Sequence, residues 1–250
     1  MCPPSRSILV LLAAAAVFAD IQAATAAEVT AAVASNFTKV ATDIAAAFET
    51  ATGNHVALSF GATGVLYTQI TQAAPFDVFL SADDNRTGQA IKEGFGVAGT
   101  DFTYAVGKVV LYSPTMDVAD GAGVLKAGAF QHIAVADPKA APYGAAAMAV
   151  LDGLGLTAAL TPKLATGENV TQTLQFIESG NAELGFVSLS QVLGKPATQV
   201  WLVPQADYPQ IRQNAVLLTH GANNSAAADF LAFLKSDTAR ALIRAAGYDA

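Results

Sequence analysis

Short polar residues stand where predicted strands give way to predicted helices, and they offer the chemistry of anion binding. They occur in four places: Ser35-Asn36, Thr63-Gly64, Tyr143-Gly144 and the run Gly167–Val170. Each helix start leaves backbone N–H groups without an intrahelical acceptor, beside the positive end of the helix dipole. Several such starts directed at one point would bind an anion without Lys or Arg. Each junction alone is better explained as an ordinary N-cap, so the prediction depends on their meeting.

The familiar catalytic and cofactor motifs do not occur in this sequence. It has no G-x-S-x-G, P-loop or H-E-x-x-H pattern, and its three histidines lie far apart. Gly153, Gly155 and Ala158 fit a loose dinucleotide pattern, but they follow a predicted helix rather than a strand, so they are better explained as a helix end. Asp83-Asp84 precede a predicted helix and are expected to cap it. The sequence therefore favours binding over catalysis.

Composition and charge exclude several classes of protein. The chain has 250 residues, 53% of them hydrophobic and 13% charged, which excludes a disordered chain or a coiled coil. Asp and Glu number 20 against 13 Lys and Arg, and the formal charge of -7 disfavours nucleic acid as a partner. Cys2 is the single cysteine, so an intramolecular disulfide, a cysteine zinc site and a redox pair are excluded.

The first residues have the layout of a secretory signal peptide. Arg6 precedes the apolar run Ile8–Ala19, and a small-residue stretch, Ala23–Ala27, follows it. The run is shorter than the roughly 20 residues needed to span a bilayer. Cys2 lies before the run, where a lipid-attachment cysteine would not be expected. We predict that residues 1–27 are a signal peptide and that the remainder is a soluble, exported protein.

Predicted strands alternate with predicted helices along the rest of the chain. The strands are Glu28–Ala34, His55–Phe60, Val78–Ser81, Tyr104–Tyr112, Ile133–Ala136, Leu184–Ser188, Val200–Val203 and Val216–Thr219. The helices are Asn36–Gly53, with Asn36 as its N-cap, Val65–Ala73, Asn85–Gly94, Gly144–Leu151, Glu168–Ser179, Ser225–Leu234 and Asp237–Ala246. This alternation predicts an α/β fold with mostly parallel sheets flanked by helices, and the restart after Tyr112 predicts two lobes. Ligands of such sheets bind beyond the carboxyl ends of the strands, where the polar junctions fall.

These junctions also carry a family resemblance that covers nearly all of the chain after residue 27. The matching runs, in order, are Ala34–Thr38, Phe60–Ile70, Ala74–Asp83, Tyr104–Lys108, Ala136–Lys139, Ala141–Gly144, Gly167–Val170 and Gly180–Val187. In these runs the chain resembles the periplasmic molybdate-binding proteins. Many motifs in one order are far more specific than any single motif.

The resemblance implies the substrate-binding component of an ABC importer. The implied fold is the two-lobe periplasmic-binding-protein fold (type II), with a two-stranded crossover and the ligand in the cleft between the lobes. On this fold, residues 28–107 plus 213–250 would form lobe I and residues 108–212 lobe II. The expected partners are a membrane permease with its cytoplasmic ATPase, the expected location is the periplasm, and the protein is expected to be a monomer.

The family's oxyanion contacts, carried over by motif, fall on six positions of this chain. They are Ser35, Asn36, Thr63, Tyr143, Val170 and Ser188. Tyr143 and Val170 would act mainly through their backbone N–H groups, and Ser188 stands where some members have a tyrosine. The implied ligand is molybdate or tungstate, bound as an oxyanion with no direct metal ligand, no cofactor and no catalysis.

Three alternatives stay open at this point. Another oxyanion such as sulfate would use the same neutral donors. A ferric-iron binder would be expected to carry paired tyrosines, and the six tyrosines of this chain include no adjacent pair. An exported serine hydrolase would use Ser35 or Ser188 as its nucleophile, which needs a neighbouring base that no motif indicates.

Overall fold

The computed structural model describes residues 27–250. The signal-peptide prediction for residues 1–27, which includes Cys2, therefore lies outside the described residues except for Ala27. Within residues 27–250, no single helix is long and apolar enough to span a membrane; one pair, Pro142–Gly153 with Thr157–Lys163, passes that test only when taken together and is bent by 119°.

Ten strands occur in the described part of the chain. They are β1 (Glu28–Ala34), β2 (His55–Gly61), β3 (Val78–Ser81), β4 (Phe102–Gly107), β5 (Val109–Tyr112), β6 (Ile133–Ala136), β7 (Leu164–Gly167), β8 (Leu184–Ser188), β9 (Val200–Leu202) and β10 (Ile211–Leu217). They form two five-stranded sheets, with the orders β2-β1-β3-β10-β4 and β7-β6-β8-β5-β9. The predicted α/β fold with two flanked sheets is confirmed.

Nine α-helices flank the sheets over the same residues. They are α1 (Thr38–Thr52), α2 (Thr63–Thr71), α3 (Asp84–Lys92), α4 (Gly121–Ala127), α5 (Pro142–Gly153), α6 (Thr157–Leu160), α7 (Val170–Glu178), α8 (Ser225–Phe233) and α9 (Asp237–Ala245). The helix ends follow local chemistry. For example, α1 stops at Gly53, whose φ of 77° is the left-handed conformation that glycine adopts without strain.

Both sheets are mixed rather than mostly parallel. In the first sheet β1 runs parallel to β2 and β3, whereas β10 runs antiparallel to β3 and β4. In the second sheet β6 runs parallel to β7 and β8, whereas β5 runs antiparallel to β8 and β9. The antiparallel strands β5 and β10 are the ones that the chain enters after crossing from the other sheet. The crossovers thus explain why alternation of strand and helix alone overestimates parallel pairing.

The predicted strand Tyr104–Tyr112 is in fact two strands in different sheets. It divides at Lys108, where the chain leaves β4 of the first sheet and enters β5 of the second. The chain returns through residues 203–210 into β10, which begins at Ile211 rather than at the predicted Val216. Gln213 and Asn214 are buried in β10, where the Gln213 Oε1 atom accepts from Asn36 and the Asn214 Oδ1 atom accepts from Thr103, while the Gln213 Nε2 atom has no partner within residues 27–250. A hydrophobicity pattern does not detect a strand that contains these two polar residues.

Small residues let the two sheets approach each other closely. Ala34, Ala62 and Ala82 follow or end β1, β2 and β3, and all three pack in one apolar cluster with residues of the second sheet. Gly64 donates its backbone N–H to the Ala140 carbonyl across the cleft at 2.8 Å. A Cβ at Gly64 would lie 3.2 Å from the Ala140 Cα and carbonyl oxygen, so this approach favours glycine. The carboxyl ends of the strands therefore face the start of α5 at short range.

Candidate functional site

Five of the six predicted site residues line one small cavity between the two sheets. Ser35, Asn36, Thr63, Tyr143 and Val170 all contribute to its wall. The remaining wall is made of small or cyclic residues: Ala34, Gly61, Ala62, Ala82, Ala141 and Pro142. The empty space among these residues is about 190 Å³, which includes space open to solvent. None of these lining residues carries a charge.

Four backbone N–H groups at this cavity are free to donate. Thr63 and Val170 are the first residues of α2 and α7, and Tyr143 follows Pro142 at the start of α5. Asn36 lies in the 3-10 turn Ser35–Phe37 that precedes α1. Among residues 27–250, none of these four N–H groups donates a hydrogen bond to a protein acceptor. Such N–H groups at helix starts are what an oxyanion requires.

The Val170 N–H is left free by the way in which α7 is capped. The side chain of Asn169 accepts from the N–H groups of Thr171 and Gln172, at 3.0 and 3.1 Å. These are the second and third helical residues, so the cap satisfies them and leaves the N–H of the first. The Gly167–Val170 run is therefore both an ordinary helix cap, through the Asn169 side chain, and a candidate binding site, through the free Val170 N–H.

Two hydroxyl groups add to the backbone donors. The Thr63 oxygen accepts a hydrogen bond from the Ala82 N–H at 3.0 Å, which leaves its own hydrogen free for a ligand. The Ser35 hydroxyl has no protein partner among the described residues, while the Ser35 carbonyl accepts from Thr38 and Thr171. Ala82 was not among the predicted site residues. Its position directly after β3, matching that of Ser35 after β1, is the signal that could have identified it.

Asn36 lines the cavity, but its side chain neither caps a helix nor has a hydrogen available for a ligand. The prediction that it caps the first helix is wrong, because α1 begins at Thr38 and its N-cap position is Phe37. The Asn36 amide instead donates to the Gln213 Oε1 atom at 2.9 Å and to the Tyr248 hydroxyl at 3.0 Å. Both side-chain hydrogens are thereby used, so only the backbone N–H remains for a ligand.

Ser188 does not line the cavity and lies behind Tyr143. It is fully buried, and its hydroxyl donates to the Tyr143 hydroxyl at 3.0 Å. The Tyr143 ring therefore points away from the cavity wall, packed so closely over Gly107 that a Cβ there would clash with its hydroxyl. Burial raises the pKa of Tyr143 well above its ordinary value, so this hydroxyl stays neutral.

The charged and metal-binding residue types lie elsewhere. His55 contacts Glu49 at 3.3 Å and His220 contacts Asp77 at 3.2 Å, both away from the cavity. Residues 27–250 contain no group of three or more His, Cys, Asp or Glu placed to hold a metal ion. Asp83 caps α3 as predicted, accepting from the Arg86 N–H at 2.7 Å. The cavity can therefore offer hydrogen-bond donors to an anion, but no base beside Ser35.

Comparisons with known proteins agree with this geometry. Residues 29–249 match the family described as bacterial extracellular solute-binding protein. The molybdate-binding protein ModA of Rhodobacter capsulatus is 51% identical over 225 residues, which covers 90% of this chain and 89% of that protein. A molybdate-binding protein ModA of Azotobacter vinelandii is 52% identical over 230 residues, covering 90% and 91%. The solved structure of a periplasmic molybdate-binding protein of A. vinelandii superposes with a TM-score of 0.85 at 36% identity, covering 89% of this chain and 99% of that one.

Proposed function

Because this chain belongs to the family of bacterial extracellular solute-binding proteins, we propose that its interlobe cavity captures molybdate as the cargo of an ABC importer. The observation that carries the proposal is the meeting of four separate chain junctions at one cavity that has no charged lining residue. Relatives that share half of its sequence over nine-tenths of its length bear the name molybdate-binding protein. The sequence prediction of an oxyanion-binding function is confirmed at this level.

Six neutral donors form the proposed site. They are the N–H groups of Asn36, Thr63, Tyr143 and Val170 and the hydroxyls of Ser35 and Thr63. A tetrahedral dianion has four oxygens, each able to accept more than one hydrogen bond, and bonds to a charged acceptor are stronger than neutral ones. Neutral donors also let the lobes reopen without separating a buried ion pair. We assign Ser188 to the support of Tyr143 rather than to the ligand, because it is absent from the cavity wall.

We also propose the lobe boundaries, the cellular location and the transport partners of this protein. Residues 28–107 plus 213–250 are the proposed lobe I and residues 108–212 the proposed lobe II, although the first sheet already includes Ile211 and Arg212 because β10 begins at Ile211. The protein works in the periplasm as a monomer and delivers its ligand to a membrane permease coupled to a cytoplasmic ATPase. Tungstate is expected to bind as well, because it has the charge and shape of molybdate. The protein is a carrier without a cofactor or catalytic activity.

The alternatives lack support at the cavity. Ferric iron prefers anionic oxygen ligands, whereas the Tyr143 hydroxyl is buried, neutral and turned away from the cavity. A hydrolase needs a base beside its serine; Ser188 contacts Tyr143 and Ser190, and no base contacts the Ser35 hydroxyl in the described chain. Sulfate has the same charge and geometry as molybdate, so it belongs in the test.

A thermal-shift panel with molybdate, tungstate, sulfate, phosphate and Fe(III) tests the proposal. A ligand that binds only the folded state stabilises it by about 2.7 kcal/mol at a hundredfold excess over Kd. We expect molybdate and tungstate to raise the unfolding temperature. A rise with Fe(III) or phosphate and none with molybdate would overturn the assignment, and a larger rise with sulfate would transfer it to that ion.

A further inference from the structure

Behind the cavity, a chain of side-chain hydroxyls joins the two lobes. We call it the interlobe hydroxyl network, made of Tyr143, Ser188, Ser190, Tyr248 and Asn36. The Ser188 hydroxyl contacts the Tyr143 and Ser190 hydroxyls at 3.0 and 2.9 Å. The Tyr248 hydroxyl lies 3.0 Å from the Ser190 hydroxyl and 2.9 Å from the Asn36 carbonyl, and its single hydrogen can be donated to either oxygen. The network therefore links two proposed ligand-binding residues, Tyr143 and Asn36, through groups that do not line the cavity.

The members of this network come from opposite sides of the cleft. Tyr143 is the second residue of α5, Ser188 is the last residue of β8 and Ser190 lies in the turn that follows β8, so all three belong with the second sheet. Asn36 follows β1 of the first sheet. Tyr248 is tied to the first sheet by its neighbour Asp249, whose backbone exchanges hydrogen bonds of 2.8 and 3.1 Å with Val106 in β4.

Two hydrogen bonds of the network cross between the lobes, and both involve Ser190. Its hydroxyl contacts the Tyr248 hydroxyl and donates to the Asn36 carbonyl at 3.1 Å. Tyr248 and Asn36 are each 4% exposed, whereas Ser190 is half-buried, so these bonds are only partly shielded from water. Burial raises the pKa of both Tyr143 and Tyr248, so the network stays uncharged at neutral pH.

We propose that Tyr248 and Ser190 are positioning residues that stabilise the ligand-bound, closed arrangement of the lobes and thereby slow the release of molybdate. The inference rests on the proposed function. The two crossing bonds can form only when the lobes are together, because their partners lie on opposite lobes. Neither residue lines the cavity, so their effect is on closure rather than on the number of ligand contacts. Release is therefore affected, whereas capture by the open form is not.

Tyr104 provides a matched control for Tyr248. The two rings pack against the same residue, Phe37, with centroid separations of 5.0 Å for Tyr104 and 5.4 Å for Tyr248. Both side chains are buried, but the Tyr104 hydroxyl has no hydrogen-bond partner within residues 27–250. Replacing either tyrosine with phenylalanine removes the same oxygen from the same aromatic cluster. Tyr248→Phe removes the contact with Ser190 on the other lobe and the contacts with Asn36 on its own lobe, whereas Tyr104→Phe removes no hydrogen bond among the described residues. Ser190→Ala leaves the bond from the Asn36 amide to Tyr248 in place and therefore isolates the contacts between the lobes.

The test measures association and dissociation rate constants for radiolabelled molybdate, with a chase of unlabelled molybdate, for the parent, Tyr248→Phe, Ser190→Ala and Tyr104→Phe. The loss of one net hydrogen bond predicts release about three- to tenfold faster in Tyr248→Phe and Ser190→Ala. Their association rate constants should stay within about twofold of the parent, since encounter precedes closure. Tyr104→Phe should release molybdate at the parental rate.

The double variant Tyr248→Phe/Ser190→Ala completes a mutant cycle. It should release molybdate no faster than Ser190→Ala alone, because Ser190→Ala already removes both crossing bonds, including the one that Tyr248→Phe removes. Two results would overturn the inference while leaving the proposed function intact. One is a double variant whose dissociation rate constant increases by the product of the two single increases, and the other is an equal dissociation rate constant in Tyr248→Phe and Tyr104→Phe. A parent that does not retain molybdate would overturn both. Thermal unfolding without ligand separates a general loss of stability from faster release.

Discussion

At the scale of the residue, the site depends on which hydrogens the protein leaves unused. Asn36 donates both amide hydrogens to Gln213 and Tyr248, whereas Thr63 accepts from Ala82 and keeps its hydrogen. Residue type alone therefore does not identify a donor. The sequence placed both residues at the site, but the partners that decide their roles are up to 212 positions away. No local pattern can show such partners.

Thr63 is the residue at which the proposed donor set is tested most sharply. Thr63→Val removes the hydroxyl and keeps the shape, so molybdate binding should weaken by about 1.5 to 3 kcal/mol. It also leaves the Ala82 N–H unpaired, which lowers the free energy of unfolding by about 1 to 3 kcal/mol. Thr63→Asp places a carboxylate against the dianion and should abolish binding in calorimetry. Thr63→Ser keeps the hydroxyl and serves as the control, with near-parental affinity. Parental affinity in Thr63→Asp, confirmed folded, would show that Thr63 does not face the ligand.

The buried tyrosines give the protein a one-sided dependence on pH. Burial raises the pKa of Tyr143 and Tyr248 above the ordinary 10.0, and burial with a bond to Glu93 raises that of Tyr67 to about 12. A group whose folded pKa is raised contributes stability below the unfolded value and loses it as pH rises towards the folded value. The unfolding temperature should therefore fall as pH rises from about 10 to 12. Molybdate affinity should stay level between about pH 6 and 9, because no lining residue titrates there. A steep change of affinity in that range would contradict the neutral site.

At the scale of the element, the sequence predicted the bounds of several strands but not how the strands pair. Glu28–Ala34, Val78–Ser81, Ile133–Ala136 and Leu184–Ser188 have the predicted bounds because each is a short apolar or alternating run. β7, with the sequence LATG, was missed because it has only one large apolar residue. The division of Tyr104–Tyr112 at Lys108 was missed because its two halves belong to different sheets, which depends on tertiary pairing.

The start of α2 provides a test of how closely the lobes must approach. Gly64→Ala adds a Cβ 3.2 Å from backbone atoms of Ala140, and such overpacking typically costs about 1 to 3 kcal/mol. This clash destabilises the closed form, in which α2 contacts Ala140. Molybdate affinity should therefore decrease, while the unliganded protein stays folded. Gly88→Ala, in the middle of α3 with nothing within 4 Å of the added Cβ, is the matched control and should bind normally. Calorimetry of both variants checks this, and equal affinities would contradict the close approach of α2 to Ala140.

At the scale of the whole molecule, the two sheets are joined by two chain crossings within residues 27–250. These are Lys108 and residues 203–210. The remaining contacts across the cleft include the Gly64–Ala140 backbone bond and the bonds of Ser190. A two-lobe molecule joined in this way can open by rotation about its crossings while each lobe stays rigid. The proposed ligand then acts as a bridge between the lobes.

Closure predicts a change of overall shape that solution scattering can detect. The radius of gyration should decrease when molybdate is added to saturation, and it should not change with a chloride control. The unliganded Ser190→Ala variant should be at least as extended as the parent, because it lacks the two crossing bonds. Identical scattering profiles with and without molybdate would argue against hinge closure.

The central claim is that helix-start N–H groups and two hydroxyls, rather than charged side chains, bind molybdate between the lobes. An anomalous difference map of a crystal grown with molybdate tests this most directly, because it locates the molybdenum atom itself. We predict one dominant peak in the cavity bounded by Ser35, Asn36, Thr63, Tyr143 and Val170, with the oxygens within hydrogen-bond distance of those donors. A peak elsewhere, or one beside carboxylate or histidine side chains, would contradict the account.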